Sequence, residues 1–361
     1  MKKILFLIPS LVGGGAERVM VTLANGLSKE YDVEILTLTS TNSFYEVADR
    51  VKLDSIGCKT DKSNVVTKIL SKLKSAVKGF LGIKKAIKEK SPDVMISFLN
   101  AASFPLVLLR TFCKLPCKII VSERADPNER PPFVKWFERT FFSYADVIVC
   151  QGKNAAEFFK ERDKNKIVVI PNPICASAIP AIHSGERSKR IVGVGRLSEQ
   201  KNFSLLINAF SKLGDNYSDY KLEIYGAGPL ESELNRQIEE LGLKDRAFLM
   251  GAKKNVMFEI ADASLYVMSS NFEGFPNALV EAMATGLPVI STDFPTGIAR
   301  EVVKEENGIV VPLRDEEALV KAMEELLFDE SRRAFMSIEN RKYLDILKEE
   351  TVFEMWKELF C

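Results

Sequence analysis

Short apolar runs alternate with amphipathic stretches along most of the chain. In the first half, runs at residues 4–8, 33–38, 94–98, 118–122 and 146–150 predict strands. Between them apolar residues recur at helical spacing, as in the predicted helix 16–28. Because the strands are apolar on both faces, the pattern is typical of a parallel sheet covered by helices on both sides. We therefore predict a Rossmann-like, doubly wound domain over residues 1–170.

A second strand-and-helix series follows a proline-containing stretch at 171–190, which we interpret as a linker. Strands are predicted at 190–194, 221–225, 247–250, 265–268, 289–291 and 309–311. This series predicts a second Rossmann-like domain over 191–335, and helices at 336–361 that pack back toward the first domain. Since ligands of such sheets bind beyond the carboxyl ends of the strands, we expect the two α/β domains to face each other across a deep, ligand-binding cleft.

Charge is distributed unevenly, although the 361 residues sum to a net charge of +1. Residues 1–170 hold 28 Lys and Arg against 18 Asp and Glu, whereas residues 171–361 hold 22 against 31. The net charge argues against a nucleic-acid binder, and the basic half predicts an anionic surface or substrate. Six cysteines without a Cys-x-x-Cys pair, and one histidine, argue against zinc and for reduced thiols in the cytoplasm. No apolar run reaches the ~18 residues of a membrane span.

The first motif that could carry chemistry is the glycine run at 13–15, between the first strand and the first helix. Glycines there allow a ligand to approach the backbone, and the helix N-terminus favours an anion. The run lacks the last glycine of a dinucleotide fingerprint. The alternative is a tight strand–helix turn, and by itself the run is a weak signal.

Two further motifs lie in the second half. Arg196 and Lys201 follow a predicted strand end, where a guanidinium and an ammonium suit a diphosphate; a solvated basic loop is the alternative. Glu273 precedes a predicted short helix that contains Glu281, so the two carboxylates can accept hydrogen bonds from separate hydroxyl groups. Between them, Asn277 is expected to cap the helix, and its first amides to receive an anion. Gly286 is expected to end it in a left-handed conformation.

In these motifs the sequence resembles the retaining glycosyltransferases of family 4, which have the GT-B fold. The resemblance covers nearly the whole chain. It rests on the Gly-Gly-Gly-Ala-Glu-Arg run at 13–18, Gly-Arg-Leu with Lys201 and Asn202, the 226–230 run and the Glu-x7-Glu pair before Gly-x-Pro-Val. The resemblance implies a nucleoside diphosphate sugar donor, no cofactor and no metal. The absence of an Asp-x-Asp pair agrees with the last point.

The resemblance also implies roles for individual positions. Arg196 and Lys201 would hold the donor diphosphate, Glu281 the ribose, and Glu273 the transferred sugar. Further donor contacts would come from the following residues: Gly14, Gly15, Gly251, Lys254, Gly274, Phe275, Pro276, Asn277, Ala278 and Leu279. Retention is expected through front-face attack, in which the departing phosphate oxygen takes the acceptor proton.

One departure from the family pattern is the Ser-Glu-Arg run at 122–124, where many relatives have a histidine. Glu123 and Arg124, together with Arg18, are candidates for contact with the sugar or the acceptor. The departure leaves the identity of the donor sugar open.

A lysine-rich segment at 59–90 carries ten lysines against Asp61 and Glu89, with apolar residues at helical spacing. Such a helix can lie on an anionic bilayer, and Lys68 and Lys72 are candidate acceptor contacts. We expect Gly79 and Gly82 to interrupt it. Aromatic residues among cations at 130–144 suggest a second such surface. For both segments the alternative is ordinary packing on the sheet.

Similar enzymes often extend a polyprenyl-diphosphate-linked glycan. We therefore expect a cytoplasmic, peripheral membrane enzyme that moves a hexose or N-acetylhexosamine, from UDP by its frequency among relatives, to a lipid-linked or oligosaccharide acceptor. The alternatives are a sugar-nucleotide epimerase or a phosphorylase of the same fold, and a non-catalytic partner of a membrane glycan complex. A dehydrogenase is disfavoured by the incomplete glycine run.

Overall fold

The strands form two separate parallel sheets. The computed structural model describes residues 1–58, 65–124, 126–160 and 164–361, with the backbone alone for 65–73, 129 and 164. One unit comprises residues 1–173 and 352–361, and the other comprises residues 174–351. The stretch expected to link the domains is therefore divided, and most of it belongs with the second unit.

The first unit contains a sheet of seven strands in the order β3-β2-β1-β4-β5-β6-β7. The strands are β1 (Lys3–Ile8), β2 (Asp32–Thr37), β3 (Lys52–Ser55), β4 (Val94–Phe98), β5 (Lys118–Ser122), β6 (Val147–Cys150) and β7 (Ile167–Val169). All pair in parallel, and Ile4 lies opposite Val33 and Val94. The chain order reverses between β1 and β4, which is the switch point where such sheets bind ligands.

Helices cover both faces of this sheet, as the sequence predicts. They are α1 (Gly15–Leu27), α2 (Val65–Lys90), α3 (Asn100–Phe112), α4 (Pro132–Phe141) and α5 (Lys153–Lys160). Ile4, Phe6 and Ile8 of β1 pack in one apolar core, whereas Leu5 and Leu7 pack in another. Because successive strand residues point to opposite faces, these two cores lie on the two sides of the sheet.

Two strands of this sheet, β3 and β7, were not among the predicted ones. Both are short and lie at the edges, and β3 alternates exposed and half-buried residues. An edge strand is covered less completely than a central one, so it lacks the continuous apolar run from which the other strands are predicted.

Helix α2 is continuous, so the expectation that Gly79 and Gly82 interrupt it is wrong. A Cβ atom built on Gly82 would lie 2.5 Å from Cγ2 of Ile56, which follows β3. Glycine is thus accommodated within the helix because it lets the segment after β3 approach closely, a packing effect that overrides its low helical propensity.

The second unit contains six parallel strands in the order β10-β9-β8-β11-β12-β13. They are β8 (Ser188–Val194), β9 (Lys221–Tyr225), β10 (Ala247–Gly251), β11 (Ala263–Met268), β12 (Val289–Thr292) and β13 (Gly308–Val311). Every strand predicted in this half is present. The reversal point lies between β8 and β11, directly beside the predicted diphosphate and glutamate motifs.

Helices again cover both faces of the second sheet. They are α6 (Phe203–Ser211), α7 (Glu231–Glu240), α8 (Val256–Ile260), α9 (Asn277–Ala284), α10 (Ile298–Val302), α11 (Glu316–Phe328) and α12 (Glu330–Leu347). Leu265 and Val267 of β11 pack in one core, and Tyr266 and Met268 in another. The two doubly wound domains confirm the predicted GT-B fold class.

The chain ends in two helices that belong to different units. Helix α12 stays with the second sheet, where Nδ2 of Asn340 donates to the carbonyls of Leu287 and Asn307 at 2.7 Å each. Helix α13 (Glu349–Glu358) places Val352 and Trp356 in a core of the first unit. The last ten residues therefore complete a domain whose other residues all precede position 174.

Candidate active site in the second domain

The loop that follows β8 is held by glycines of the next βα connection. A Cβ atom on Gly226 would lie 1.8 Å from the carbonyl oxygen of Gly195, and one on Gly228 would lie 2.3 Å from that of Leu197. The Leu197 amide donates to the Ala227 carbonyl at 3.1 Å. Only glycine permits this approach, so the run at 226–228 positions the loop that carries Arg196. The Arg196 side chain is exposed.

The same loop places Lys201 against Glu273. Nζ of Lys201 lies 2.5 Å from Oε1 of Glu273, and both side chains are largely buried, with 16% and 7% exposed. Oγ of Ser270 donates to the same carboxylate oxygen at 2.7 Å. The lysine stem crosses Gly195, where a Cβ atom would lie 2.9 Å from Cε. Two of the four principal residues predicted from the sequence are thus in direct contact.

Hydrogen bonds join this loop to the one that follows β11. The Asn271 amide donates to the Gln200 carbonyl at 2.7 Å, and Nε2 of Gln200 donates to the Phe272 carbonyl at 3.0 Å. Oγ of Ser269 donates to the Lys201 carbonyl at 3.0 Å. Because β8 and β11 are neighbours, the two loops form one connected surface at the carboxyl edge of the sheet.

Helix α9 begins at the end of this surface. Its cap is Pro276, and Asn277 is its first residue, so the expected capping by the Asn277 side chain is wrong. Proline at 276 sets an entry geometry in which the Asn277 amide donates to the Phe275 carbonyl at 2.9 Å, and the Leu279 amide to the Pro276 carbonyl at 3.0 Å. These two amides are therefore not unpartnered, contrary to the expectation. Gly286 has φ +82° and ends the helix in the expected left-handed conformation.

Glu281 lies on α9 and is half-buried. Its charge and that of Glu273 both act on Tyr266 of β11, whose pKa is raised by burial first and by these two carboxylates second. Tyr266 is fully buried, and its hydroxyl has no hydrogen-bond partner among the described residues. The sequence did not single out Tyr266, because an apolar strand pattern does not separate a tyrosine from its buried neighbours.

The segment at 250–256, which the family resemblance implies binds the base, is connected to the same surface through Gly251. The Gly226 amide donates to the Gly251 carbonyl at 2.9 Å, and Gly251 adopts φ +69°. Lys254 is exposed. Gly274 is half-buried, and Phe275 and Pro276 are buried beside α9. All candidates of the second domain therefore lie after the carboxyl ends of β8, β10 and β11.

In the first domain, the glycine run directly precedes α1. Gly14 is the cap, Gly15 is the first helical residue, and Arg18 lies in the first turn. Oε2 of Glu17 accepts from the Gly13 amide at 2.8 Å. A carboxylate of the motif itself therefore occupies the amide that precedes the two glycines predicted to contact the donor.

The departure from the family pattern lies in a buried polar network. The Arg124 guanidinium lies 3.8 Å from the centroid of the Phe98 ring and 5.8 Å from that of Trp356, and Nη1 donates to Asn172 at 2.6 Å. Burial lowers the pKa of Arg124 to about 9. Nε and Nη2 of Arg124 have no hydrogen-bond partner in the described part of the chain. This packing favours a structural role for Arg124 within the first domain.

Glu123 also belongs to this network, together with residues that the sequence did not single out. Nη2 of Arg130 donates to Oε1 of Glu123 at 3.2 Å, and Nε of Arg130 lies 3.7 Å from Glu138. Burial and the charge of Glu123 raise the pKa of Glu138 to about 7. Arg130 and Glu138 were missed because they lie in an aromatic segment that predicted a membrane surface.

The side chains of Lys68 and Lys72 lie outside the described residues. In the part of the chain that the structure describes, no helix combines the length and apolar character that a bilayer span requires.

Comparison with known proteins places both halves in glycosyltransferase families. Residues 13–177 match the family described as Glycosyltransferase Family 4, and residues 178–343 match Glycosyl transferases group 1. A solved structure of a TarM variant from S. aureus, in complex with fondaparinux, α-GlcNAc-glycerol and UDP, is similar with a TM-score of 0.80 and 15% identity, over 100% of both chains.

Two relatives from Campylobacter jejuni are similar over most of their length. The GalNAc-α-(1→4)-GalNAc-α-(1→3)-diNAcBac-PP-undecaprenol α-1,4-N-acetyl-D-galactosaminyltransferase is 31% identical over 92% of this chain and 91% of its own. The N-acetylgalactosamine-N,N'-diacetylbacillosaminyl-diphospho-undecaprenol 4-α-N-acetylgalactosaminyltransferase is 28% identical over 92% of each. Together with the two parallel-sheet domains, these matches show that the chain belongs to family 4 of the glycosyltransferases, with the GT-B fold.

Proposed function

We propose that the enzyme transfers a hexose or N-acetylhexosamine, with retention, from a nucleoside diphosphate sugar to a polyprenyl-diphosphate-linked glycan. The reaction would serve the synthesis of a surface polysaccharide or a lipid-linked oligosaccharide at the cytoplasmic face of the membrane. The observation that carries the proposal is the Lys201–Glu273 pair, which lies beside the exposed Arg196 loop at the switch point of the second sheet.

Lys201 is suited to hold a leaving diphosphate while paired. An ammonium has three N–H donors, and the contact with Glu273 uses one of them. Rupture of the bond between the anomeric carbon and the phosphate places negative charge on the diphosphate. Arg196 and Lys201 oppose that charge, and because the Lys201 ammonium is already positioned, little reorganisation is needed during the reaction. These cations supply charge that a metal supplies elsewhere, so we expect transfer to continue in EDTA.

The remaining donor contacts follow from position in the second domain. Glu281 on α9 would accept from the ribose hydroxyls, and Glu273 from a hydroxyl of the transferred sugar. The 274–279 backbone would bind sugar hydroxyls and phosphate, and the 250–256 segment would bind the base. Gly14 and Gly15 would contribute from the first domain. UDP is favoured as the carrier because the similar TarM structure was solved with UDP.

The proposed acceptor rests on the substrates for which the relatives are named and on the positive charge of α2. Both Campylobacter relatives are named for glycans carried on undecaprenol through a diphosphate. In this chain α2 presents exposed lysines, among them Lys74, Lys78 and Lys85. A basic helix suits both the acceptor diphosphate and anionic lipid head groups. Arg18, Glu123 and Arg124 stay candidates on the acceptor side, Glu123 and Arg124 through the network they stabilise.

The donor site is tested by a thermal-shift screen of nucleotide sugars, followed by transfer assays with the best donor and short polyprenyl-diphosphate-linked glycans. We expect Lys201→Ala and Glu281→Ala each to lower the transfer rate by about 10²-fold or more, the usual effect of removing one such group. Lys244→Ala, at an exposed lysine paired with Glu239, is the matched control and should be neutral. Near-normal transfer by either site variant would contradict the assignment.

Since Lys201→Ala also leaves the Glu273 carboxylate buried without its cation, the double variant Lys201→Ala/Glu273→Gln separates structure from chemistry. It should recover thermal stability without recovering transfer. Retention is checked by the anomeric configuration of the product in NMR spectra. Release of a different sugar nucleotide without acceptor would indicate an epimerase instead, and donor binding without any reaction would indicate a non-catalytic partner.

Peripheral membrane association is tested with the full chain on liposomes. We expect stronger binding to vesicles that contain anionic lipid than to neutral vesicles, with the difference reduced in high salt. Equal partitioning into both kinds of vesicle, or into neither, would contradict this part of the proposal.

A further inference from the structure

An apolar cavity of about 530 Å³ lies between α2, α3 and α4 in the first domain. Its wall includes apolar side chains from all three helices, namely Val77, Phe80, Leu81, Phe104, Leu108 and Phe137. The volume falls in the range of about 300–1,000 Å³ that is typical of pockets for small molecules. The cavity is therefore large enough to take part of a ligand, and its lining requires that part to be apolar.

The apolar surface continues outside the cavity. Val77 and Leu81 of α2 are 53% and 57% exposed, and Phe133 and Trp136 of α4 are 71% and 55% exposed. Phe137 in the cavity wall stacks on Phe141, which contacts the Trp136 ring. Contiguous exposed apolar surface on a soluble domain indicates a binding site. A flexible apolar chain can therefore contact the exposed rim and extend from there into the cavity.

Val77 and Leu81 form a ridge on α2, and the apolar cavity lies on one side of it. Cationic groups lie on the other side of this ridge. Val77 and Leu81 also line a second cavity, of about 740 Å³, together with four lysines and two acidic residues. The charged residues are Lys74, Lys78, Lys85 and Lys90 against Asp54 and Glu89. The second cavity therefore has a net positive lining, and it adjoins the apolar one. An amphiphile with an anionic head and an apolar tail complements this arrangement.

We infer that the apolar cavity binds the isoprene units nearest the diphosphate of the polyprenyl-linked acceptor, with the head held on the lysine side of the α2 ridge. The inference rests on the proposed function, which makes such a lipid the acceptor. A concave cavity that opens to solvent favours a single inserted chain over a flat bilayer surface, because only an inserted chain removes the inner wall from water. The domain would thus recognise the lipid of its substrate as well as the glycan.

Binding of farnesyl diphosphate and of methyl diphosphate to the full chain, measured by calorimetry without membranes, tests the inference. Farnesyl diphosphate should bind at least about tenfold more tightly, since burial of a leucine-sized apolar group changes affinity by this factor or more. Ala101→Trp places an indole in the cavity from an exposed position of α3 and should abolish the difference. Ala178→Trp, at an exposed position of the second domain, should preserve it.

Leu81→Gln provides a second variant, because Leu81 is exposed and its replacement leaves the core intact. It should weaken farnesyl diphosphate binding and leave methyl diphosphate binding unchanged. Equal affinity of the native chain for the two ligands would overturn the inference. So would loss of vesicle binding in both variants without loss of farnesyl selectivity, since the surface would then contact the bilayer.

Transfer assays distinguish failure of this inference from failure of the proposed function. If glycans carried on farnesyl and on methyl diphosphate are used with equal KM, the enzyme is a transferase that ignores the lipid. If no donor supports transfer to any diphosphate-linked glycan, the proposed function itself fails, and the inference that rests on it is overturned too.

Discussion

At the scale of single residues, the candidate site depends on close backbone contacts that only glycine allows. Gly226 has φ +151°, and its α-carbon faces the Gly195 carbonyl; Gly195 in turn lies under the Lys201 stem. These contacts set the path of the loop between β8 and α6. The side chains proposed to act on the donor are thus positioned by residues that have no side chain.

Gly226→Ala should therefore lower both stability and transfer. The new methyl group would lie 1.8 Å from the Gly195 carbonyl oxygen, so the loop must move, and we expect a loss of roughly 3 kcal/mol or more in the free energy of unfolding. Urea denaturation and transfer assays measure the two effects. Gly242→Ala is the control: Gly242 also has a left-handed φ of +68°, but a methyl group there meets no atom of the described part of the chain within 4 Å. It should lose only about 1–2 kcal/mol, and equal losses would contradict the argument.

Glu138 should make stability depend on pH. Its pKa is raised from 4.5 to about 7, by burial first and by the charge of Glu123 second. Between these values the folded state retains a proton that the unfolded state has lost, so stability falls as pH rises from 4.5 to 7. The loss reaches roughly 3 kcal/mol, because each tenfold change in proton affinity corresponds to about 1.4 kcal/mol.

Glu138→Gln removes this titration and should flatten the pH dependence of unfolding over that interval. Denaturant unfolding of both proteins at several pH values measures the difference, since their other groups titrate alike. Parallel curves for the variant and the native chain would show that Glu138 is ionised in the folded state.

At the scale of secondary-structure elements, the two glycines of α2 have different surroundings, so we expect their replacement by alanine to have opposite effects on stability. Among the described residues, a Cβ atom on Gly79 would meet only Sγ of Cys58, at 3.9 Å, whereas one on Gly82 would meet three atoms of Ile56, the nearest at 2.5 Å. The two glycines lie one turn apart on the same helix. The alanine variant of each glycine therefore serves as the control for the other.

Gly79→Ala should stabilise the chain by about 0.5–1 kcal/mol, because alanine favours the helix and fits the available space. Gly82→Ala gains the same propensity but crowds Ile56, at a cost of about 1–3 kcal/mol. A net loss of roughly 1 kcal/mol is expected. Chemical denaturation of the two variants decides the matter, and a gain in both would show that Ile56 moves freely.

At the scale of the whole molecule, the last ten residues complete the first domain although the entire second domain precedes them in the chain. Trp356 is 1% exposed, and its ring lies 6.2 Å from that of Phe98, at the end of β4. The Arg124 guanidinium lies over the Phe98 ring and also approaches Trp356. The stability of the first domain therefore depends on a helix at the far end of the sequence.

Trp356→Ala should destabilise the first domain by about 3–5 kcal/mol, the usual cost of truncating a buried tryptophan. Hydrogen exchange of the full chain should then accelerate in β1 and β4 and stay unchanged in β8 and β11. Phe328→Ala, at an 86% exposed position, is the control and should alter neither domain. Uniform acceleration throughout both sheets would contradict the assignment of α13 to the first domain.

Much of the fold could be predicted because central parallel strands are buried on both faces. Continuous apolar runs such as residues 94–98 and 118–122 correspond to β4 and β5 without any change of bounds. The edge strands β3 and β7 escaped because half-exposed strands do not require such runs. The predicted interruption of α2 at Gly79 and Gly82 was wrong because intrinsic helix propensity is weak compared with tertiary packing.

The order of residues determined by itself which groups follow each strand. In a parallel sheet the carboxyl ends share one edge, so Arg196 and Lys201 after β8 and Glu273 after β11 had to lie at the same edge of the second sheet. Only the tertiary structure decided that Lys201 pairs with Glu273, that Glu17 binds the amide of Gly13, and that Arg124 is buried between Phe98 and Trp356. Such contacts depend on atomic distances between segments far apart in the chain, and local periodicity carries no information about them.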